Sequence, residues 1–279
     1  MKLYTIHTGN FKLDGGAMFG VVPKSIWNKL NPADENNLCS WAMRCLLIEE
    51  GNRLILVDNG IGNKQDAKFM GHYYLHGDDS LDASLHKLGI DRNDITDVFL
   101  THLHFDHCGG SIVREGDQLV PAFKNAVYWS NLKHWEWATQ PNEREKASFL
   151  KENILPIEQS GQLKFVEPTN GISFTEHISI RFVNGHTDAM MLPQILYKDR
   201  TLVFMADLLP STGHIPLPYV MAYDMFPLTT LLEKKQFLQE ALENDYILFF
   251  EHDPVNECCT LQGTERGIRQ KEVFRLAEI

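Results

Sequence analysis

The chain has 279 residues, 43% of them hydrophobic and 10% aromatic, which is enough to bury a sizeable core. Its formal net charge of -11 argues against nucleic acid as a partner, because phosphate binding normally needs a basic face. The five cysteines form a poor disulfide framework, which suits a reducing compartment. The N-terminus does not resemble a signal peptide and no apolar run approaches about 18 residues, so we expect a cytoplasmic protein without membrane contact.

The first third of the chain is predicted to form short strands, because β-branched and aromatic residues alternate there with Gly, Asn and Pro. The predicted strands are Lys2–His7, Ala17–Pro23, Trp41–Glu49 and Arg53–Asp58. Glu50-Gly51-Asn52 predicts a hairpin turn between the last two. Ser80–Leu88 has leucines at helical spacing and is followed by Gly89, which predicts a helix. A further strand, Asp97–Leu100, leads into a histidine-rich segment.

The rest of the chain alternates predicted strands with predicted helices. The strands are Ala126–Ser130, Leu163–Val166, Ile178–Val183, Gln194–Tyr197, Thr201–Met205 and Tyr246–Phe250. The helices are Asn142–Glu152, Leu228–Leu242 and a last one from about Glu265 to the C-terminus. The charged block Glu143–Lys146 is interpreted as a solvated helix face. Strands followed by helices in two successive halves predict two sheets packed face to face with helices outside.

The segment Thr101–Gly110 contains three histidines and one aspartate within six positions, namely His102, His104, Asp106 and His107. In an extended segment alternate residues point the same way, so the first three can converge, while the last leaves at a different angle. Imidazole and carboxylate are ligands that suit zinc and similar metals. This pattern therefore predicts a metal site. Cys108 is interpreted as a packing residue, because four better-spaced ligands already precede it.

Three later residues of ligand type each follow a predicted strand. His186 comes after Ile178–Val183, Asp207 comes after Thr201–Met205, and His252 comes after the last strand. An open α/β architecture puts its site at the carboxyl ends of its strands. Any one of these residues alone is more simply a cap or a surface residue. Their shared position predicts that they complete the metal site.

Together these motifs closely resemble the metallo-β-lactamase superfamily of hydrolases, over nearly the whole chain. The resemblance lies in Val57-Asp58-Asn59-Gly60, His102-x-His104-x-Asp106-His107, Gly185-His186-Thr187, Ala206-Asp207 and the late His252. It implies an α+β fold, the four-layer αββα sandwich, in a single domain over residues 1–279. The site would lie at one edge of the two sheets.

The resemblance also implies a ligand set for two divalent metal ions. His102, His104 and His186 would hold one ion; Asp106, His107 and His252 would hold the other; and Asp207 would bridge both. Asp58 would orient a ligand histidine through its other ring nitrogen, or else is a turn aspartate. Two such ions about 3.5–4 Å apart can share a hydroxide and clamp the attacking and leaving oxygens, with Asp106 and Asp207 as catalytic groups. Zinc is expected, and the same ligands also accept Mn, Fe or Co.

Two further segments, 14–23 and 207–216 with Tyr223-Asp224 following, look like those of quorum-quenching N-acyl homoserine lactonases and methyl parathion hydrolase-like enzymes. Met18, Phe19, Trp27 and the loop His72-Tyr73-Tyr74 either form an apolar wall for an acyl chain or pack in the core. The expected partner is a small-molecule substrate with an apolar portion. A homodimer is the assembly that we expect.

One position departs from the lactonase pattern. Many of those enzymes place a tyrosine three residues after the bridging aspartate, where its hydroxyl assists the oxyanion or the leaving alkoxide. Here that position is Pro210. Either a metal performs this task alone, or Tyr223 or His214 supplies a catalytic group from elsewhere. This departure favours a broader range of substrates that includes other esters or phosphotriesters.

The sequence therefore predicts a dinuclear-metal-dependent hydrolase that uses a metal-bridging hydroxide to open an N-acyl homoserine lactone or cleave a related ester. The alternatives are a phosphotriesterase or arylesterase and a glyoxalase II-like thioesterase. A thioesterase of that type normally appends a helical substrate domain, which the short C-terminus does not supply. A metal-binding sensor module on the same fold is the non-enzyme alternative, and the complete ligand set argues against it.

Overall fold

The computed structural model describes residues 1–279. Its strands are β1 (Lys2–Asp14), β2 (Leu38–Glu50), β3 (Arg53–Val57), β4 (Asp97–Phe99), β5 (Ile112–Glu115), β6 (Gln118–Pro121), β7 (Val127–Asn131), β8 (Leu163–Val166), β9 (Ile172–Ser173), β10 (Ile178–Val183), β11 (Met190–Tyr197), β12 (Arg200–Phe204), β13 (Ile247–Phe249), β14 (Cys258–Thr264) and β15 (Gly267–Phe274). Its α-helices are α1 (Gly15–Phe19), α2 (Lys24–Trp27), α3 (Ala67–Gly71), α4 (Leu81–Lys87), α5 (Phe105–Cys108), α6 (Leu132–Thr139), α7 (Lys151–Gln159) and α8 (Pro227–Glu243).

The chain divides into two compact units. Unit 1 comprises Met1–Gly9 and Met43–Thr169, and unit 2 comprises Asn10–Ala42 and Asn170–Ile279. No helix combines the length and the apolar composition that crossing a bilayer requires.

A six-stranded sheet in the order β1-β2-β3-β4-β7-β8 organises unit 1. The predicted turn at Glu50-Gly51-Asn52 joins β2 to β3 as an antiparallel hairpin, while β3, β4, β7 and β8 run parallel. The parallel strands β3 and β4 are short and, after Arg53 and Asp97 at their first positions, wholly apolar, as is typical of strands covered on both faces. Asp58 directly follows β3 and Thr101 lies two residues beyond the end of β4, so these polar residues reach the same edge of the sheet.

A seven-stranded sheet in the order β15-β14-β13-β12-β11-β10-β9 organises unit 2. Strand β11 is antiparallel to both β10 and β12, and β13 is parallel to β12. Strands β10, β12 and β13 therefore run in one direction and end at one edge. The residues that follow these three ends include His186, Asp207 and His252. The shared position expected for these residues in the sequence is thus confirmed within unit 2.

Three predicted elements differ from the structure. Ala17–Pro23 is not a strand, because the Asp14 carboxylate accepts a hydrogen bond from the backbone NH of Ala17 at 2.8 Å and begins α1 instead. The C-terminal segment is not a helix: β14 and β15 pair as an antiparallel hairpin, with Gly267 at a φ of 90° after the turn. The helix predicted for Asn142–Glu152 begins only at Lys151.

Candidate metal centre

Unit 1 carries four of the predicted ligands on one short segment that starts just beyond β4. His102, His104, Asp106 and His107 are all buried, the last two on α5. The end of α5 is fixed by backbone contact, because a Cβ at Gly109 would lie 2.1 Å from the Ile61 carbonyl oxygen. The buried Lys64 ammonium donates to the Gly109 carbonyl at 2.5 Å. These contacts place the ligand segment on a rigid support.

The hydrogen bonds of His102 and His104 leave two ring nitrogens facing each other with lone pairs. The Thr101 hydroxyl donates to Asp58 Oδ2 at 2.6 Å, so it accepts from His102 Nδ1 at 3.1 Å. His104 Nε2 donates to the Glu145 carboxylate at 2.9 Å. When both rings are neutral, His102 Nε2 and His104 Nδ1 are therefore both acceptors, although they lie only 3.1 Å apart. A shared cation satisfies this arrangement, and a hydrogen bond between the two neutral rings does not.

His107 is oriented in the same way by the predicted partner Asp58. The ring donates through Nδ1 to Asp58 Oδ2 at 3.1 Å, which leaves Nε2 as an acceptor 3.7 Å from the Asp106 carboxylate. Asp58 itself has a φ of 55° and also accepts from the Thr101 backbone NH at 2.8 Å. Asp58 is therefore both a turn residue and the group that orients a candidate ligand.

Unit 2 brings its three predicted ligands together. His186 Nδ1 donates to the Asp224 carboxylate at 2.8 Å, and His252 Nδ1 donates to the Ala42 carbonyl at 2.7 Å. Both histidines therefore turn Nε2 toward the Asp207 carboxylate, at 3.1 Å and 3.2 Å. One carboxylate with an imidazole nitrogen at each of its oxygens has the geometry of a bridging ligand.

The electrostatics of His186 show that this position favours positive charge. Burial lowers the pKa of the ring, but the carboxylates of Asp207 and Asp224 outweigh burial and raise the pKa to about 10. A divalent cation would supply the same positive charge without a proton. The donor sets of both units therefore fit metal binding.

Sequence reasoning missed three buried residues that hold the ligand segments. Glu145 lies within the block interpreted as a solvated face, but it is only 3% exposed and accepts from Trp137 Nε1 at 2.6 Å as well as from His104. That interpretation was wrong for Glu145. His134 Nε2 accepts from the backbone NH of Leu103, which lies between two ligands. Asp224 lies 38 residues from His186. No local spacing marks such long-range contacts.

The two residues predicted to replace the missing tyrosine occupy different surroundings. His214 is buried, stacks on Phe19 with ring centroids 4.6 Å apart, and uses both nitrogens, with Met18 O at 2.9 Å and Ser211 Oγ at 2.8 Å. Tyr223 is 40% exposed and directly precedes Asp224. Pro210 is buried, and its carbonyl accepts from the His252 backbone NH at 3.1 Å. This geometry gives His214 a packing role, whereas the Tyr223 side chain is accessible to solvent.

We expect His214 to make the protein less stable below neutral pH. Burial lowers its folded pKa to about 4, against 6.5 for an ordinary histidine. As the pH drops, the unfolded chain therefore binds this proton before the folded protein does. The free energy of unfolding falls by on the order of 3 kcal/mol between about pH 6.5 and about pH 4. Urea unfolding across this pH range, with a chelator present, should show that the free energy of unfolding of His214→Gln depends less steeply on pH than that of the wild type. Equal slopes in the two proteins would contradict the assignment.

The residues expected to form an apolar wall are divided between the two units. Met18, Phe19 and Trp27 are at most 2% exposed in unit 2, and Phe19 stacks on Trp27 at 5.5 Å. These three residues therefore pack in the core of unit 2, which was the alternative to a wall for an acyl chain. In unit 1, Tyr73 packs against Phe105 at 4.6 Å, while Tyr74 is 53% exposed.

Comparison with known proteins agrees with these features. The family model described as the metallo-beta-lactamase superfamily matches residues 44–252. An N-acyl homoserine lactonase of Bacillus thuringiensis is 28% identical in an alignment of 206 positions that covers 70% of this chain and 64% of that enzyme. The chain thus covers less than two thirds of the length of this relative.

Solved structures resemble the chain over nearly its full length. A probable metal-dependent hydrolase from Staphylococcus aureus superposes with a TM-score of 0.88 and 27% identity, covering 98% of this chain and 96% of that one. AidC, a dizinc quorum-quenching lactonase in complex with a product, superposes with a TM-score of 0.81 and 21% identity, covering 98% and 95%. The expected α+β fold is confirmed by these neighbours. The family match spans most of the chain, and the chain belongs to the metallo-β-lactamase superfamily.

Proposed function

We propose that the protein is a metal-dependent hydrolase that opens an N-acyl homoserine lactone or cleaves a related ester, with residues 1–279 working as one domain. The observation that carries the proposal is the pair of acceptor nitrogens of His102 and His104 at 3.1 Å, which calls for a cation. The lactonase relatives support the substrate class. A quorum-quenching role follows if that class is the natural one.

The ligands of the two units together form one dinuclear centre in this proposal. His102, His104 and His186 would hold one ion, Asp106, His107 and His252 would hold the second, and Asp207 would be shared by both. The likeness to a dizinc lactonase over the whole chain supports this joint arrangement and makes zinc the first choice. The same nitrogen and oxygen donors would also accept Mn, Fe or Co.

When bound, the two ions supply Lewis acidity and a water whose pKa is lowered to about 7. Glu145, Asp58 and Asp224 each hold one imidazole with its donor nitrogen turned away, so that the other nitrogen stays an acceptor. Asp106 and Asp207 provide negative charge that balances the site and orients the attacking water. Tyr223 donates its phenolic proton toward the leaving oxygen.

Tyr223→Phe tests this last role. We expect kcat to fall by about 10²-fold, the lower end for loss of a general acid, while metal content stays unchanged. Tyr197→Phe, on β11 beside the Lys198 ammonium, is the control and should keep full activity. Equal rates for Tyr223→Phe and wild type would return the leaving-group role to the metal alone.

A second candidate function, hydrolysis of aryl esters or phosphotriesters, is favoured by Pro210 at the position where many lactonases have tyrosine. A panel of acyl-homoserine lactones, aryl esters, phosphotriesters and thioesters, run on metal-reconstituted protein, separates the two. The proposal expects the highest kcat/KM for a lactone. A metal-replete protein that turns over none of these substrates would instead be a sensor module.

A cytoplasmic location is part of this proposal. All five cysteines are buried and none takes part in a disulfide, which suits a reducing compartment. We also propose that the protein acts as a homodimer on a small molecule with an apolar portion, without nucleic acid or membrane contact.

A further inference from the structure

A groove of about 540 Å³ lies in unit 2, formed by α8, the loop before it and the turn between β14 and β15. None of the predicted metal ligands lines it. Its apolar floor includes Ile215 and Leu238, which are 1% and 3% exposed, and Leu232 stands half-exposed at the edge. This volume is within the range of about 300–1,000 Å³ that small-molecule sites occupy.

The charge around this groove is of one sign. Lys235, Arg266 and Arg269 line it, and no aspartate or glutamate does, although the chain has 37 acidic against 26 basic residues. None of these three cations has a carboxylate partner in the structure. Arg269 Nη1 donates only to the neighbouring Ile268 carbonyl, at 2.7 Å. The groove therefore combines apolar area with cationic donors that an anion would satisfy.

The groove is also held in shape by a buried lysine. Lys234 is 1% exposed, and its ammonium donates to the carbonyls of Pro216 at 2.9 Å, Leu217 at 3.3 Å and Tyr219 at 2.8 Å. These bonds tie the loop that carries Leu217 and Pro218 to α8. A ligand would enter a surface that is already formed, so little ordering would oppose binding.

We propose that this groove binds a small amphipathic carboxylate, with its alkyl chain along Leu217, Leu232 and Leu238 and its carboxylate between Arg266 and Arg269. The apolar floor accounts for the chain, and the guanidinium groups match a carboxylate in planarity and charge. This site is separate from the proposed metal centre in the residues that build it, and its occupant need not be the substrate.

Calorimetric titration of the metal-loaded protein with hexanoate, octanoate and decanoate tests the site. We expect the affinity to rise by about fourfold for each added methylene, the factor for burying one such group. Nonyltrimethylammonium, with the same nonyl chain and opposite charge, should bind at least about tenfold more weakly than decanoate. Equal binding of decanoate and this cation would overturn the proposal.

Variants locate the binding. The double variant Arg266→Glu/Arg269→Glu should weaken decanoate binding by about tenfold or more. The control is Lys271→Glu, which lies on the same strand as Arg269 but outside the groove, where Lys271 pairs with Glu272. It should leave decanoate binding unchanged. Leu232→Gln should also weaken binding, and Leu228→Gln, one turn earlier on α8 and 81% exposed, should leave it unchanged. No difference within either pair would contradict the proposal.

Two other occupants give distinct results. A carboxylate bound at the metal centre would be lost in His104→Ala and insensitive to Arg266 and Arg269, which is the reverse of what we expect for the groove. If a second copy of this chain covers the groove, decanoate will not bind the wild-type protein. The Leu232→Gln variant will then sediment as a smaller species than the wild type. Either result would overturn the proposal, and neither depends on whether a lactone is hydrolysed.

Discussion

Asp207→Asn is expected to reduce kcat/KM for hydrolysis by more than about 10³-fold. This loss is larger than the decrease of about 10²- to 10³-fold that follows removal of one hydrogen-bond donor to a transition state. The carboxylate has an imidazole nitrogen at each oxygen, His186 at 3.1 Å and His252 at 3.2 Å. A neutral amide has nearly the same shape but offers only one acceptor oxygen and no charge, so it cannot bridge two cations. Kinetics and metal analysis of the purified variant would measure both losses.

The matched control for this variant is Asp199→Asn, at a turn residue of unit 2 with a φ of 64° that asparagine also tolerates. It should keep wild-type activity and metal content. Circular dichroism should show that Asp207→Asn retains the fold, because the replacement preserves volume. An active Asp207→Asn variant with bound metal would show that the bridging assignment is wrong.

Glu145→Ala should weaken binding of at least one metal ion by about 10- to 100-fold, the usual cost of removing a group that orients a ligand histidine. Glu145 accepts from His104 Nε2 and from Trp137 Nε1, so its loss frees the imidazole to rotate and to change tautomer. Titration with a competing chelator would give the dissociation constants. Activity should return when excess metal is added, which separates a positioning role from damage to the fold.

Glu143→Ala is the control, because this residue lies two positions away and forms an exposed ion pair with Lys146. Its metal affinity should match that of the wild type. The metal affinity of Glu145→Gln should lie between those of Glu145→Ala and the wild type, since the amide oxygen can still accept one hydrogen bond. If Glu145→Ala and Glu143→Ala bind metal equally well, Glu145 does not support the site.

The ligand positions could be predicted from the sequence because their signals are local. His102, His104, Asp106 and His107 follow one buried strand within six residues, and His186 comes soon after another. Strand β10, in which apolar and polar residues alternate, and the short strand β8 were predicted with their observed bounds for the same reason.

Residues that act over long distances could not be predicted in this way. Glu145 meets His104 from 41 positions away, through a segment whose charges are typical of a solvated helix. The C-terminal hairpin has no clear alternation, and its pairing with β13 depends on tertiary contacts that no short window contains. The Asp14 side chain redirects a strand-like sequence into α1 through a single capping bond.

Metal titration of the metal-free protein during hydrolysis of an N-acyl homoserine lactone tests the proposed dinuclear centre most directly. We predict no turnover without metal and a rise in rate that reaches a plateau at about two ions per chain. A protein that binds two ions and opens no lactone, or one that is fully active without metal, would contradict the account.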